Sequence, residues 1–245
     1  MFLHRRAAPL AAMMLTLLFC APSALAELAT FTAEYRAYAS GLPCGRGRWS
    51  LHPMDGVDEI PRYQYRAEGK LCIMGQRVDH RSNFLLMERG PVPENYRSQF
   101  KGVFRSRTLE GEFDGQHFQV TLDGQPLENE DSFPPARWEP GLLLYHLGLA
   151  RESLTLSYTW GEETREYLFE YHGSEEIETP LGPVLAHKLV QDHPGKERVA
   201  QFWFAPALNN ALVQMKVSRL GLPWLTVKMT DYRSDATSLP APSAD

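Results

Sequence analysis

Ser98-Gln99-Phe100-Lys101 is the chain's nearest approach to a nucleophile motif. On a helix, Ser-x-x-Lys puts hydroxyl and amine on one turn, where the amine can take the serine proton. Tyr96 to Phe100 alternate in the manner of a strand instead, and the spacing reads as chance. No Gly-x-Ser-x-Gly elbow and no Ser-Asp-Asn or Lys-Thr-Gly companion occurs. His52, His80, His117, His146, His172, His187 and His193 include no His-Glu-x-x-His or other tight ligand spacing. His187, between Leu185 and Leu189, reads as a hydrogen-bonded structural imidazole. Glu110 and Glu112 share one strand face, and Glu175, Glu176 and Glu178 precede a turn. Both groups read as solvated surface rather than as the flanking acids of a glycosidase. No glycine-rich phosphate loop follows a strand. These residues assign no catalytic group, metal ligand or cofactor.

Two features carry more weight. Arg77, Arg81, Arg89, Arg97, Lys101, Arg105 and Arg107 form a basic stretch, 77–107, opposed only by Asp79, Glu88 and Glu94. Residues 108–131 then hold seven acids and no Lys or Arg. Either the two stretches neutralise each other across neighbouring strands, or the basic one meets an anionic partner. Cys44 and Cys72 form the second feature. If 44–53 and 61–72 are antiparallel neighbours turning at Asp55-Gly56-Val57-Asp58-Glu59, residues whose numbers sum to 116 face each other. The two cysteines then lie opposite, within reach of a structural disulfide.

The elements that would hold these residues are mostly strands. Period-two alternation runs through Phe31–Ala37, Tyr63–Ala67, Phe118–Leu122, Leu154–Trp160, Tyr167–Tyr171, Ala211–Val217 and Leu225–Met229. Asp114-Gly115 and Asp123-Gly124 are hairpin signals, and Thr179-Pro180-Leu181-Gly182 is a turn with Pro in its favoured place. Gly161, Gly173 and Gly221 read as strand ends. One helix is predicted after Pro140, through Leu142, Leu143, Leu144, Tyr145, Leu147, Leu149 and Ala150. The fold class is mostly β: a strongly curved antiparallel sheet or incomplete β-barrel, with this one main helix packed on its concave side. One domain spans 27–233, followed by a loose tail at 234–245.

Residues 1–26 read as a cleaved signal peptide. Arg5 and Arg6 precede an apolar run, and Ala24-Leu25-Ala26 gives the small-x-small pattern for cleavage after Ala26. Its loss takes the formal charge from −5 to −7, because it carries two Arg and no acid. That charge argues against general nucleic-acid binding. No later segment is apolar and long enough for a membrane-spanning helix. Export to the periplasm is the expectation, where a disulfide persists.

Three segments resemble the secreted bacterial "domain of unknown function 3108" family: FTAEYRAYASGLPCGRGRW from Phe31, TPLGPVLAHKL from Thr179, and RVAQFWFAPALNNALVQMKV from Arg198. The helix after Trp138-Glu139-Pro140-Gly141 also falls where that family has one. The resemblance covers roughly 31–232. It implies a bent sheet embracing a helix, and it carries no catalytic residue with it. The functional expectation is a periplasmic, non-enzymatic protein of envelope maintenance that binds a lipid-like ligand or a protein partner. The alternatives are a hydrolase of an envelope polymer and an interaction scaffold that uses the basic strip 77–107.

Overall fold

The computed structural model describes residues 28–57, 60–70, 76–87, 90–102, 106–113, 118–126, 140–160, 163–193 and 197–234. The signal segment with Ala26, Cys72, Arg89, Arg105, His117, Asp114-Gly115 and the tail from 235 onward lie outside the described residues. The first eight strands run β1 (Phe31–Ala39), β2 (Leu42–Val57), β3 (Ile60–Lys70), β4 (Arg77–Met87), β5 (Gly90–Lys101), β6 (Ser106–Phe113), β7 (Phe118–Leu122) and β8 (Gln125–Pro126). Helix α1 (Pro140–Leu149) follows. The chain ends with β9 (Leu154–Trp160), β10 (Glu163–Thr179), β11 (Gly182–His193), β12 (Arg198–Ala205), β13 (Ala211–Arg219) and β14 (Leu222–Ser234). Ser234 thus closes the last strand, and its hydroxyl donates to the Thr30 carbonyl at 2.7 Å.

All fourteen strands belong to one antiparallel sheet, in the order β8-β7-β6-β5-β4-β3-β2-β1-β14-β13-β12-β11-β10-β9. Among the described residues its outer strands, β8 and β9, pair with β7 and β10 but not with each other, so the sheet stays open. Two hairpin meanders are joined at the centre by the first and last strands. The β2–β3 hairpin obeys the expected sum: Arg46 faces Lys70 and Met54 faces Arg62. Two-residue turns with both φ positive close β1–β2 at Ser40-Gly41, β7–β8 at Asp123-Gly124 and β13–β14 at Leu220-Gly221. Gly173 corrects one expectation. It lies inside β10, where its φ of +80° and a shift in pairing between Tyr171 and Ser174 mark a bulge, not a strand end.

Helix α1 packs against strands of both meanders and is mostly apolar around its circumference, Tyr145 and His146 apart, with Leu149 exposed near its end. Leu142 packs with Leu51, Tyr63, Tyr65, Phe84 and Leu86 from the first meander. Leu143 and Leu147 pack with Phe169, Leu189, Phe202, Phe204 and Leu212 from the second. Arg151 caps the helix, its guanidinium donating to the carbonyls of Gly148 and Ala150 at 2.9 Å each and to Asn210 Oδ1 at 2.8 Å.

The alternation around Trp203 has a structural basis. Alternation sends Phe202 and Phe204 toward α1, while Trp203 turns to the other core with Tyr35, Val213 and Met229. Trp203 Nε1 donates to Glu175, so this carboxylate is an indole acceptor as well as a surface charge. Pro206 starts a 3-10 turn, and Asn209 and Asn210 take the positive φ that returns the chain into β13.

Candidate functional site

Strand register brings six basic residues into one line. Lys228 on β14 faces Arg36 on β1. Arg36 faces Arg46 on β2. Arg46 faces Lys70 on β3. Lys70 faces Arg77 on β4, and Arg77 faces Lys101 on β5. All six are exposed, and none is engaged in an ion pair in the described structure. At about 4.8 Å per strand the line is roughly 24 Å long. Like charges directly opposite one another destabilise a sheet. A run of five such contacts is therefore a cost that folding alone does not call for.

The acids nearby do not relieve it. One row further along the strands stand Glu34, Arg48, Glu68, Asp79 and Gln99, again in register. Beyond them come Arg66, Arg81 and Arg97. Glu34 binds Arg48 at 2.6 Å, and this bond raises the Arg48 pKa. Arg66 reaches Glu68 at 2.9 Å and Asp79 at 3.9 Å, and Arg81 reaches Asp79 at 3.4 Å. Arg97 reaches Glu110 at 3.3 Å. The carboxylates are thus held by arginines other than the six.

A groove of about 670 Å³ runs beside the line, with Arg46, Lys70, Arg77 and Lys101 along it and Glu34, Glu68 and Asp79 within it. Gly47 and Gly69 face each other where β2 and β3 border it. A Cβ on Gly69 would stand 3.0 Å from the Arg46 carbonyl oxygen and 3.2 Å from Gly47 Cα. Side chains at this crossing would force the strands apart.

The basic strip read from sequence is therefore divided. Arg77 and Lys101 join the cation line, Arg81 and Arg97 are ion-paired, and Arg107 falls on the opposite face with Leu109. The other four members of the line lie outside 77–107.

The remaining polar candidates arrange as follows. Ser98 and Lys101 have opposite parity on β5 and point to opposite faces, which ends the Ser-x-x-Lys reading. The structure instead sets Ser98 Oγ 2.6 Å from His80 Nδ1. A serine and an imidazole at that distance could act as nucleophile and base. They are 2% and 5% exposed, however, which denies them a substrate. Ser82, on the same face of β4, is also buried, and its hydroxyl has no hydrogen-bond partner in the described structure.

A second Ser–His pair is exposed. The Gly173 bulge aims Ser174 at His187, with Oγ 2.8 Å from Nδ1, and the Tyr171 hydroxyl shares that nitrogen at 3.0 Å. Partial burial, then the Arg151 charge, lowers the His187 pKa. No carboxylate orients this ring among the described residues. The reading of His187 as a hydrogen-bonded imidazole in a strand agrees with this setting.

His146 on α1 is pushed down to a pKa of about 4 by burial. His172 lies 3.6 Å from Glu170, and His52 is exposed. No three His, Cys, Asp or Glu side chains converge as metal ligands among the described residues. Beneath α1, bordered by Trp49, Leu51, Tyr65, Leu144, Tyr145 and Phe204, the open space is about 40 Å³. Pockets that hold small molecules run to roughly 300–1,000 Å³. The aromatic side chains of the strands fill the core here.

The sequence pattern of the family described as "Protein of unknown function (DUF3108)" matches residues 30–221. No curated protein matches the chain. Among solved structures, one similar chain is a β-barrel-like protein with the domain of unknown function DUF1849, from Brucella abortus. It is 10% identical, with 86% of this chain and 99% of that chain covered, at a TM-score of 0.49.

Proposed function

The chain belongs to the DUF3108 family, and we propose that it is an exported, non-catalytic binding protein whose cation line holds an elongated anionic component of the cell envelope. The observation that carries this reading is the unbroken register of Lys228, Arg36, Arg46, Lys70, Arg77 and Lys101 without ionic partners. A line of about 24 Å favours a chain or array of phosphates or carboxylates over a single small anion. Export follows from the signal-like residues 1–26. Of the ligand readings, a lipid tail enclosed beneath α1 has the least support, since about 40 Å³ is open there.

Binding of long-chain inorganic polyphosphate tests this reading. The wild-type protein is expected to bind it with an affinity that falls steeply as salt is raised. A Lys70→Gln/Arg77→Gln/Lys101→Gln variant is expected to bind at least about tenfold more weakly, as three charge contacts of roughly 0.5–1 kcal/mol each imply. Equal affinity of variant and wild type, or indifference to salt, would overturn the proposal. The hydrolase alternative has less support, because the Ser98–His80 pair that could supply its nucleophile and base is closed to a substrate. Labelling of Ser98 by a serine-reactive phosphonate would establish the hydrolase in place of the first reading.

A further inference from the structure

The strand ends beyond the cation line carry apolar side chains where turns ordinarily carry polar ones. Leu42 follows the β1–β2 turn and is 73% exposed. Leu220 and Leu222, in and after the β13–β14 turn, are 64% and 72% exposed, and Trp224 is 39% exposed. The two hairpins are neighbours, joined where Ser40 N donates to the Trp224 carbonyl at 3.4 Å. Leu220 is doubly out of place. Its φ is +53°, a conformation that suits Gly, Asn or Asp and is uncommon for leucine. Strain and apolar exposure at one residue point to use rather than to folding. Arg198 stacks over the Trp224 ring at 5.5 Å, and Arg219 faces Leu222. Glu197, whose carbonyl accepts from Leu220 N, adds one acid beside them.

We propose that this end of the sheet docks on the surface of an anionic phospholipid bilayer, the two hairpin tips entering the interface and the cation line lying at the level of the phosphates. The proposal rests on the anion-binding reading and names its partner. The dimensions agree for Leu42 and Trp224, which precede Arg46 and Lys228 by four residues, about 13 Å along a strand; Leu222, six residues and about 20 Å from Lys228, reaches deeper. Apolar groups of interfacial proteins enter roughly 5–10 Å, and the headgroup layer adds about 5–8 Å on each side of the hydrocarbon. The line crosses the strands, so it lies parallel to a surface that the tips enter. Tryptophan favours that boundary, and basic residues gather at anionic leaflets.

The test uses the full mature chain and co-sedimentation with vesicles. Phosphatidylglycerol–phosphatidylcholine vesicles are the probe, pure phosphatidylcholine the control, and polyphosphate affinity is measured in parallel. The wild-type protein is expected to bind the anionic vesicles at least about tenfold more tightly than the neutral ones. Leu220→Asn/Leu222→Ser is expected to lose about tenfold on anionic vesicles while keeping its polyphosphate affinity. Asn suits the turn, so a folding defect is not expected to confuse the result. Vesicle binding unchanged by the tip substitutions would overturn the proposal, as would equal binding to neutral vesicles. Polyphosphate binding without vesicle binding would also overturn it. That result would leave the anion-binding reading standing, with a soluble polymer or an acidic protein as partner. Loss of both would remove both.

Discussion

Single residues govern how this protein responds to redox conditions and to pH. Arg46 faces Lys70, in keeping with the sum of 116 that the sequence expectation for Cys44 and Cys72 uses; Cys72 lies outside the described residues, and we propose a disulfide between the two. Closing a loop of that length contributes about 3–4 kcal/mol in the chain-entropy picture. Intact mass spectrometry of protein recovered from the exporting cell checks this together with processing. The expected species begins at Glu27, is two hydrogens lighter than the dithiol and takes up no thiol reagent until reduced. Two reactive thiols would refute the bridge. His146 sets an acid limit. Its folded pKa of about 4 lies below the ordinary 6.5, so the unfolded chain binds the extra proton first. The contribution is complete above pH 6.5 and is lost as pH falls toward 4, by at most about 3 kcal/mol. His146→Leu is expected to flatten urea-measured stability across that window, and an unchanged pH slope would contradict the assignment. The missed Ser98–His80 contact shows what residue-level reading lacks. The two side chains are 18 positions apart, and only the pairing of β4 with β5 brings them to 2.6 Å.

At the scale of elements, alternation and turn chemistry identified most strands, and the failures have particular causes. The turn expected at Asp55–Glu59 gave the right β2–β3 register, since one residue of slip would send Tyr63 and Tyr65 out of the core, but Asp55, Gly56 and Val57 lie inside β2. Gly173 misled because a lone glycine in a strand pattern marks a bulge as readily as an end. The helix was legible from Pro140 and its leucines, but its tight seat was not. Gly148 lies against the turn before β13, where a Cβ would stand 2.6 Å from the Asn210 carbonyl oxygen. Helix propensity alone would have Gly148→Ala stabilise by about 1 kcal/mol. The packing requires the opposite sign. The expected result is a loss of about 1–3 kcal/mol in denaturant unfolding, and any gain would mean that α1 does not sit against Asn210.

At the scale of the whole molecule, the cation line exists only because the first and last strands pair. Lys228 and Arg36 are 192 positions apart and meet through β1–β14, and nothing in the sequence joins the six into one group. A stretch such as 77–107 mixes both faces and several rows, so linear charge density found two of the six and counted neutralised arginines with them. The line is held at a cost to stability, and an anionic partner would relieve it. The thermal midpoint of Arg77→Gln against wild type, at low salt, tests this most directly. The substitution removes repulsion toward Lys70 on one side and Lys101 on the other. The variant is expected to melt about 1–4 °C higher, with the gap closing in high salt. A variant that melts lower than wild type at low salt would show that Arg77 is stabilised where it stands and that the line is not an unpaired array awaiting an anion.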